Sequence, residues 1–307
     1  MRAKTTVKQF TKATEAGVEQ TTARLPEWFK QKISKREQGE EIRKILQEDQ
    51  IHTVCEEAKC PNRGECFKNK TVTFMILGDT CTRTCGFCAV KAGKPLAINP
   101  HEPEQVAKAV TRLGLKHAVI TSVNRDDLKE GGAKHFADVI RAVKLFNPLV
   151  TIEVLTPDFK GNLEALKMII DAKPNVFNHN IETIESFYSF VRPQANYQQS
   201  LTVLKAAKAM GAGRTASEFM TKSGIMLGFG ENEEQVLQVM RDLRAHDVEM
   251  MTLGQYLRPS KAQLPVKEYV TPEQFKRYEV MGLELGFKFV FSGPLIRSSY
   301  HAGEFVG

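Results

Sequence analysis

The chain has 307 residues, 42% of them hydrophobic and 26% charged, enough apolar material for the core of a sizeable globular enzyme. No uncharged apolar run reaches the roughly 18 residues that a membrane-spanning helix needs. The formal charge of +7 does not by itself make a nucleic-acid binder, because Lys and Arg are interleaved with Asp and Glu, as in KREQGEEIRKILQEDQ (35–50), which reads as solvated helix surface.

The first residues, MRAKTTVKQFTKATEAG, are basic and Thr-rich without the apolar block of a secretory signal. A flexible tail of a cytoplasmic protein is the expectation, with a mitochondrial presequence as the alternative. All six cysteines then fall between residues 55 and 88. Such clustering is not how disulfides staple a chain of this size, so metal binding is the better reading. The first group is Cys55, Cys60 and Cys66, with four and five residues between them.

TVTFMIL (71–77) is apolar and β-branched and reads as a buried strand that delivers its end to the second group, Cys81, Cys85 and Cys88 in CTRTCGFC. Three thiolates on one short loop leave a tetrahedral zinc site incomplete. An open site usually means chemistry, and soft thiolates suit a four-iron cluster with one iron free for a small molecule. A zinc knuckle completed by His52 or His101 is the alternative.

Further strands are expected at 117–123, 149–155, 175–183, 223–229, 251–257 and 287–293, with helical patterns between them from PEQVAKAVTRLG (103–114) to TPEQFKRYEVMGLELG (271–286). Alternation of this kind predicts a parallel sheet. The G-x-G-x-x-G fingerprint of a dinucleotide fold is absent, and polar clusters such as NRDD, TPDF and NHNIET recur just past the strands, as at the mouth of a barrel. The expected fold is α/β, a partial (β/α)6 TIM-like barrel over 71–285. An N-terminal helical extension (1–70) would carry the first triad, with a C-terminal segment at 286–307. Met168, Met210, Met226 and Met240 fall on core-facing patterns and read as packing rather than as a cofactor box.

CTRTCGFC resembles the signature of the radical S-adenosylmethionine superfamily. That resemblance implies a unique iron chelating the amino and carboxylate groups of the cofactor, and cleavage of its C–S bond to a 5′-deoxyadenosyl radical. Further blocks resemble the lipoyl synthase family along most of the chain: CEEAKCPNRGEC, NRDDLKEGGA, FNHNIET, VRPQANYQQSL, TKSGIMLGFGE, LGQYLRPS and a terminal RSSYHAG from Arg297. Residues 1 to roughly 50 carry nothing distinctive.

The resemblance implies two 4Fe-4S clusters, one on Cys81, Cys85 and Cys88 and an auxiliary one on Cys55, Cys60 and Cys66. A serine oxygen would be the fourth ligand of the auxiliary cluster, Ser299 first and Ser298 second. The implied reaction inserts two sulfur atoms, at carbons 6 and 8, into an octanoyl chain on a lysine of a lipoyl carrier domain. Two molecules of S-adenosylmethionine are spent and the auxiliary cluster is the sulfur source. Implied partners are octanoylated lipoyl domains of 2-oxoacid dehydrogenase subunits and the glycine cleavage H protein, a flavodoxin or ferredoxin as reductant, and an iron–sulfur carrier. Bacterial cytoplasm is the expected location, the mitochondrial matrix the alternative.

By analogy Phe87 sets backbone groups against the adenine, or simply packs the loop. Asn180 and Glu182 contact the ribose or methionine part, or cap the next helix. Asn124, Arg125 and Asp126 are candidates for the cofactor's amino and carboxylate ends. Arg192 serves the cofactor carboxylate or the carrier, or is a rim ion pair. The rival readings are another sulfur-inserting radical enzyme, such as biotin synthase or a methylthiotransferase, and a zinc-stabilised nucleic-acid-binding protein.

Overall fold

The computed structural model describes residues 25–29, 39–215, 218–300 and 302–305. Helix α1 (Glu40–Glu48) buries Ile42, Ile45 and Leu46 at helical spacing. After a short strand β1 (His52–Thr53), the Thr53 hydroxyl accepts from Glu56 N at 3.3 Å and caps α2 (Val54–Glu57). Cys55 lies in α2 and Cys66 in α3 (Arg63–Lys68), with Cys60 in the turn between.

Strand β2 (Thr73–Ile76) is buried at every position, as a strand covered on both faces must be. A parallel two-stranded pair, β3 (Thr80–Cys81) and β4 (Lys91–Ala92), follows and brackets the second triad. The chain then alternates: α4 (Glu102–Leu113), β5 (His117–Ser122), α5 (Ala133–Phe146), β6 (Thr151–Leu155), α6 (Leu163–Asp171) and β7 (Val176–Asn178). It continues through α7 (Tyr188–Val191), α8 (Tyr197–Met210), β8 (Met220–Leu227), α9 (Glu233–Ala245), β9 (Met250–Gln255), α10 (Pro272–Glu284) and β10 (Phe289–Gly293). Asn162, Asn196, Asn232 and Thr271 cap the starts of α6, α8, α9 and α10.

The sheet order is β1-β2-β5-β6-β7-β8-β9-β10, parallel throughout except for β1 against β2. Spatial order follows chain order without reversal. With right-handed crossovers the helices therefore cover one face and the other face turns inward, an arrangement consistent with a partial TIM-like barrel. Among the described residues no pairing joins β10 to β1. Deep in the sheet, Lys222 Nζ lies 3.0 Å from both carboxylate oxygens of Glu153, and Asn178 donates to the same carboxylate at 2.9 Å. A buried charge pair is tolerable only when so satisfied.

Three expectations are corrected. The 175–183 segment is strand only over Val176–Asn178, because His179–Ile181 leave the ladder before Glu182 bridges to Ile225 of β8. Strand β8 begins three residues before the expected 223. Met168 and Met210 are 38% and 37% exposed, the first on the outer side of α6 and the second at the last residue of α8, whereas Met240 is fully buried.

Candidate functional site

The loop bearing Cys81, Cys85 and Cys88 is closed at its base by the β3–β4 register, Cys81 against Ala92. At its tip, Gly86 N donates to Val191 O and Gly86 O accepts from Leu264 N, both at 2.9 Å. A Cβ at Gly86 would stand 2.7 Å from Leu264 Cδ1 and 2.8 Å from the Phe190 carbonyl, so only glycine fits this double clamp. Gln263 Nε2 holds Cys88 O at 3.2 Å, and Gln194 exchanges two hydrogen bonds with Thr84. Phe87 packs on a cluster of Val191, Phe229, Tyr256 and Leu264.

Arg83, between two of the cysteines, is buried. It donates Nε and Nη2 to Asp126 at 2.7 and 2.9 Å, and Nη1 and Nη2 to Asp158 at 2.9 and 2.7 Å. Burial alone would raise the Asp158 carboxyl, but its hydrogen bonds and charge contact with Arg83 outweigh this and hold it well below the usual carboxylate range. Next to Arg83, Cys81 Sγ accepts backbone N–H from Arg83 at 3.4 Å and from Asn124 at 3.3 Å.

The loop opens into a cavity of about 730 Å³ at the C-terminal ends of β2 and β5–β7. All three loop cysteines line it, and so do Val54 and Ala58, which flank Cys55. Ser122 Oγ, Asn124 Oδ1, Thr156 Oγ1 and Asn180 Oδ1, on four residues of this wall, are buried without a hydrogen-bond partner. Such groups want a polar ligand.

Beyond β7, Asn180 Nδ2 donates to Glu182 Oε1 at 3.1 Å and to Ser298 Oγ at 2.6 Å. Glu182 has φ +70°, a conformation that side chains rarely adopt. It is held there because its N–H donates to Gly224 O and its carbonyl accepts from Met226 N, both at 2.9 Å. Burial raises the Glu182 carboxyl, with Arg192 opposing. Arg192 Nη1 donates to the carbonyls of Asn180 (2.8 Å) and Ile181 (3.2 Å), its guanidinium lying over the Tyr188 ring. His179 meets Thr156 O through Nδ1 at 2.8 Å and Ser200 Oγ through Nε2 at 3.0 Å. A carbonyl can only accept, so Nδ1 carries the proton. Burial, with Arg192 nearby, pushes the ring down to about 4.

The first triad faces the terminal segment. Asn62 Nδ2 donates to Leu295 O at 2.7 Å, Thr73 Oγ1 to Ser299 Oγ at 2.8 Å, and Tyr300 OH to Glu65 Oε1 at 3.0 Å. Arg297 is half-buried beside Cys60, and desolvation lowers its guanidinium below the ordinary value. The backbone of Thr73 lies against the Cys55 thiol. Ser299 and Cys55 thus share Thr73, while Ser298 turns to Asn180 on the cavity wall.

All six cysteines are free thiols. Burial pushes Cys55 and Cys85 up to about 11 and Cys66 and Cys88 to about 12, and within each triad neighbouring thiols add to the shift. Loading a metal centre on either triad would have to displace these protons. Among the described residues no group of three His, Cys, Asp or Glu side chains is set to hold a single metal ion. The donor set, three thiols per group with backbone N–H on one sulfur, fits an iron–sulfur cluster. The orphaned wall oxygens fit the ammonium and hydroxyl donors of S-adenosylmethionine.

Of the expected cofactor contacts, Phe87, Asn124, Asn180, Glu182 and Arg192 line the cavity. Arg125 and Asp126 stand beside it: Arg125 is turned to Asp127 at 2.9 Å and Asp126 to Arg83. Neither Asn180 nor Glu182 caps a helix; the next turn, Glu185–Phe187, starts from Ile184 without a side-chain cap. No sequence spacing marks Arg83, Ser122, Thr156, Asp158 or His179, which the fold brings to the site. Arg83 lay inside the quoted cysteine motif and Asp158 inside TPDF, but their pairing spans 75 positions that no local spacing reveals.

A family model described as the radical SAM superfamily matches residues 75–243. Another, described as the N-terminal domain of lipoyl synthase, matches residues 2–60, so the first fifty residues carry a family likeness although no motif stands out in them. The lipoyl synthase of Rubrobacter xylanophilus is 54% identical over 279 residues, 91% of this chain and 85% of that protein. That of Caldanaerobacter subterraneus subsp. tengcongensis is 54% identical over 281 residues, 92% of this chain and 96% of that protein. Among solved structures, methylornithine synthase (PylB) matches with a TM-score of 0.53 at 15% identity, over 71% of this chain and 70% of that one. The hydrogenase maturase HydG of Carboxydothermus hydrogenoformans matches at 0.56 and 13%, over 76% and 64%. These two speak to the fold alone. The chain therefore belongs to the lipoyl synthase family of radical S-adenosylmethionine enzymes.

Proposed function

We infer that the chain inserts two sulfur atoms, at carbons 6 and 8, into the octanoyl group carried on a lysine of a lipoyl carrier domain. The observation that carries this is one cavity bordered by all three cysteines of one triad and by Val54 and Ala58, on either side of Cys55 of the other. Carbons 6 and 8 carry no activating group, so acid–base chemistry cannot reach them.

In this reading Cys81, Cys85 and Cys88 hold one 4Fe-4S cluster, and Cys55, Cys60, Cys66 and Ser299 hold the auxiliary one. When bound, these groups and S-adenosylmethionine supply hydrogen-atom abstraction from unactivated C–H bonds and the sulfur that replaces the hydrogens. The protein's part is placement and exclusion of water. Asn124, Asn180 and Glu182 face the cofactor's polar ends, Arg192 fixes the carbonyls from which Asn180 and Glu182 project, and Phe87 sets the loop. Arg125 and Asp126 act from behind the wall, Asp126 by holding Arg83. The aromatic and aliphatic cluster of Phe87, Phe190, Tyr256 and Leu264 keeps the loop side of the cavity dry.

The thiol chemistry supports Ser299 over Ser298, since Ser299 shares Thr73 with Cys55. In the finer architecture, a partial (β/α)6 barrel over 71–285 carries an N-terminal extension (1–70) for the auxiliary cysteines and a C-terminal segment (286–307) for the serine. Its partners are octanoylated lipoyl domains, a flavodoxin- or ferredoxin-like reductant and an iron–sulfur carrier. Among the described residues no helix is long and apolar enough to cross a membrane, and the cytoplasm is the proposed location.

The test is mass spectrometry of an octanoylated lipoyl domain after incubation with the reconstituted protein, S-adenosylmethionine and a low-potential reductant. A product heavier by two sulfurs less two hydrogens is expected. Cleaved cofactor with an unaltered octanoyl chain would mean a radical enzyme of another substrate.

A further inference from the structure

Two consecutive serines of the terminal segment bond to opposite sides of the fold. Ser298 Oγ accepts from Asn180 on the cavity wall at 2.6 Å, and Ser299 Oγ accepts from Thr73 beside Cys55 at 2.8 Å. We propose that Asn180 is a positioning residue that couples the two cluster sites: cofactor seated at Asn180 and Glu182 strengthens the hold on Ser298 and, one residue along, keeps Ser299 on the auxiliary cysteines. The proposal rests on the assignment of Ser299 made above.

The Asn180 amide has two hydrogens, spent on Ser298 and on Glu182, which together fix its plane. Its oxygen is buried with no partner and lies over Gly224, where an added Cβ would stand only 3.2 Å away. Everything else at this corner is rigid. Arg192 pins the Asn180 carbonyl, and Glu182 is locked in its left-handed conformation by two backbone bonds to the β8 strand. The amide torsion is therefore the soft coordinate, and Ser298 is one of two groups that set it.

A ligand that bridges the fixed Glu182 carboxylate and the Asn180 oxygen finds the second in place only while Ser298 is held. That gives it a higher affinity for the held state than for the released one, which is what coupling requires. Consecutive Cα atoms are about 3.8 Å apart, so a backbone displacement that takes Ser298 from Asn180 also carries Ser299 from Thr73. By reciprocity, the factor by which cofactor shifts the equilibrium of the segment toward its held state equals the factor by which release of the segment weakens cofactor binding.

The test uses the full reconstituted chain and reads two quantities with and without S-adenosylmethionine: the rate at which a ferrous chelator removes iron, and hydrogen exchange over residues 294–300. In the native chain cofactor should slow both by about three- to tenfold, the worth of one buried hydrogen bond. In Ser298→Ala the slowing should vanish and cofactor affinity should fall by a similar factor, with Ser298→Thr restoring both. A Ser298→Ala protein that keeps the full cofactor dependence, while Ser299→Ala loses iron quickly under all conditions, overturns the coupling alone. Unchanged iron release from Ser299→Ala sinks the ligand assignment and the coupling with it.

Discussion

Arg83 and Asp158 form a bidentate pair at 2.7 and 2.9 Å with side chains 2% and 0% exposed, between the cysteine loop and the turn after β6. Removing Asp158 leaves the buried guanidinium with Asp126 as its one remaining carboxylate. Asp158→Ala should therefore cost about 3–5 kcal/mol in denaturant unfolding. Arg83→Lys should not restore it, because an ammonium cannot span both Asp126 and Asp158. Iron retained by the Cys81/Cys85/Cys88 loop should fall in parallel. An Asp158→Ala protein of native stability and iron content would show the pair to be incidental.

His179 yields the pH prediction. Its folded value of about 4 lies below the ordinary value near 6.5. Between the two the unfolded chain binds the extra proton, so stability is fully present above about pH 6.5 and falls as pH drops toward 4. The loss attributable to this ring is on the order of 3 kcal/mol. Urea midpoints measured from pH 7 to pH 4 should show the slope, and His179→Gln should flatten it. An equal slope in both proteins would assign the acid sensitivity elsewhere.

Gly86→Ala is expected to fold with a loss of about 1–3 kcal/mol from overpacking. The Phe190 carbonyl and Leu264 must both give way, which moves the tip of the loop. S-adenosylmethionine affinity of the reconstituted variant, measured by equilibrium dialysis, should drop by at least about tenfold. Native affinity would mean that the clamp at Gly86 does not govern the loop.

The two triads should load independently. Reconstituted native chain is expected to hold about eight irons, and either Cys60→Ala or Cys85→Ala about four, by iron and acid-labile sulfide analysis. Cys85→Ala should lose cofactor cleavage altogether. Cys60→Ala should retain cleavage without sulfur insertion. A single variant that empties both sites would point to one shared centre.

Two short windows, 55–66 and 81–88, make thiol-held iron the expectation, because cysteine spacing sets which sulfurs a single loop can present. The βα alternation was likewise readable, since buried parallel strands must be apolar on both faces and helices must repeat near every fourth residue. The edges were not. FNHNIET looks like a strand, yet its polar half leaves the ladder to build the wall of the cavity. NRDD looked like a ligand-binding run, and only Asn124 of it lines the cavity while Arg125 and Asp126 spend their charges on Asp127 and Arg83.

What the sequence alone determined is the grouping of the six cysteines into two triads and the alternation of strand and helix, both consequences of short-range covalent spacing. Which serine faces which site, which carboxylates hold Arg83 and which wall oxygens remain unpaired were decided by tertiary structure alone. Those contacts join residues as far apart as Thr73 and Ser299, and their geometry exists only once the strands are in order and the terminal segment is packed against them.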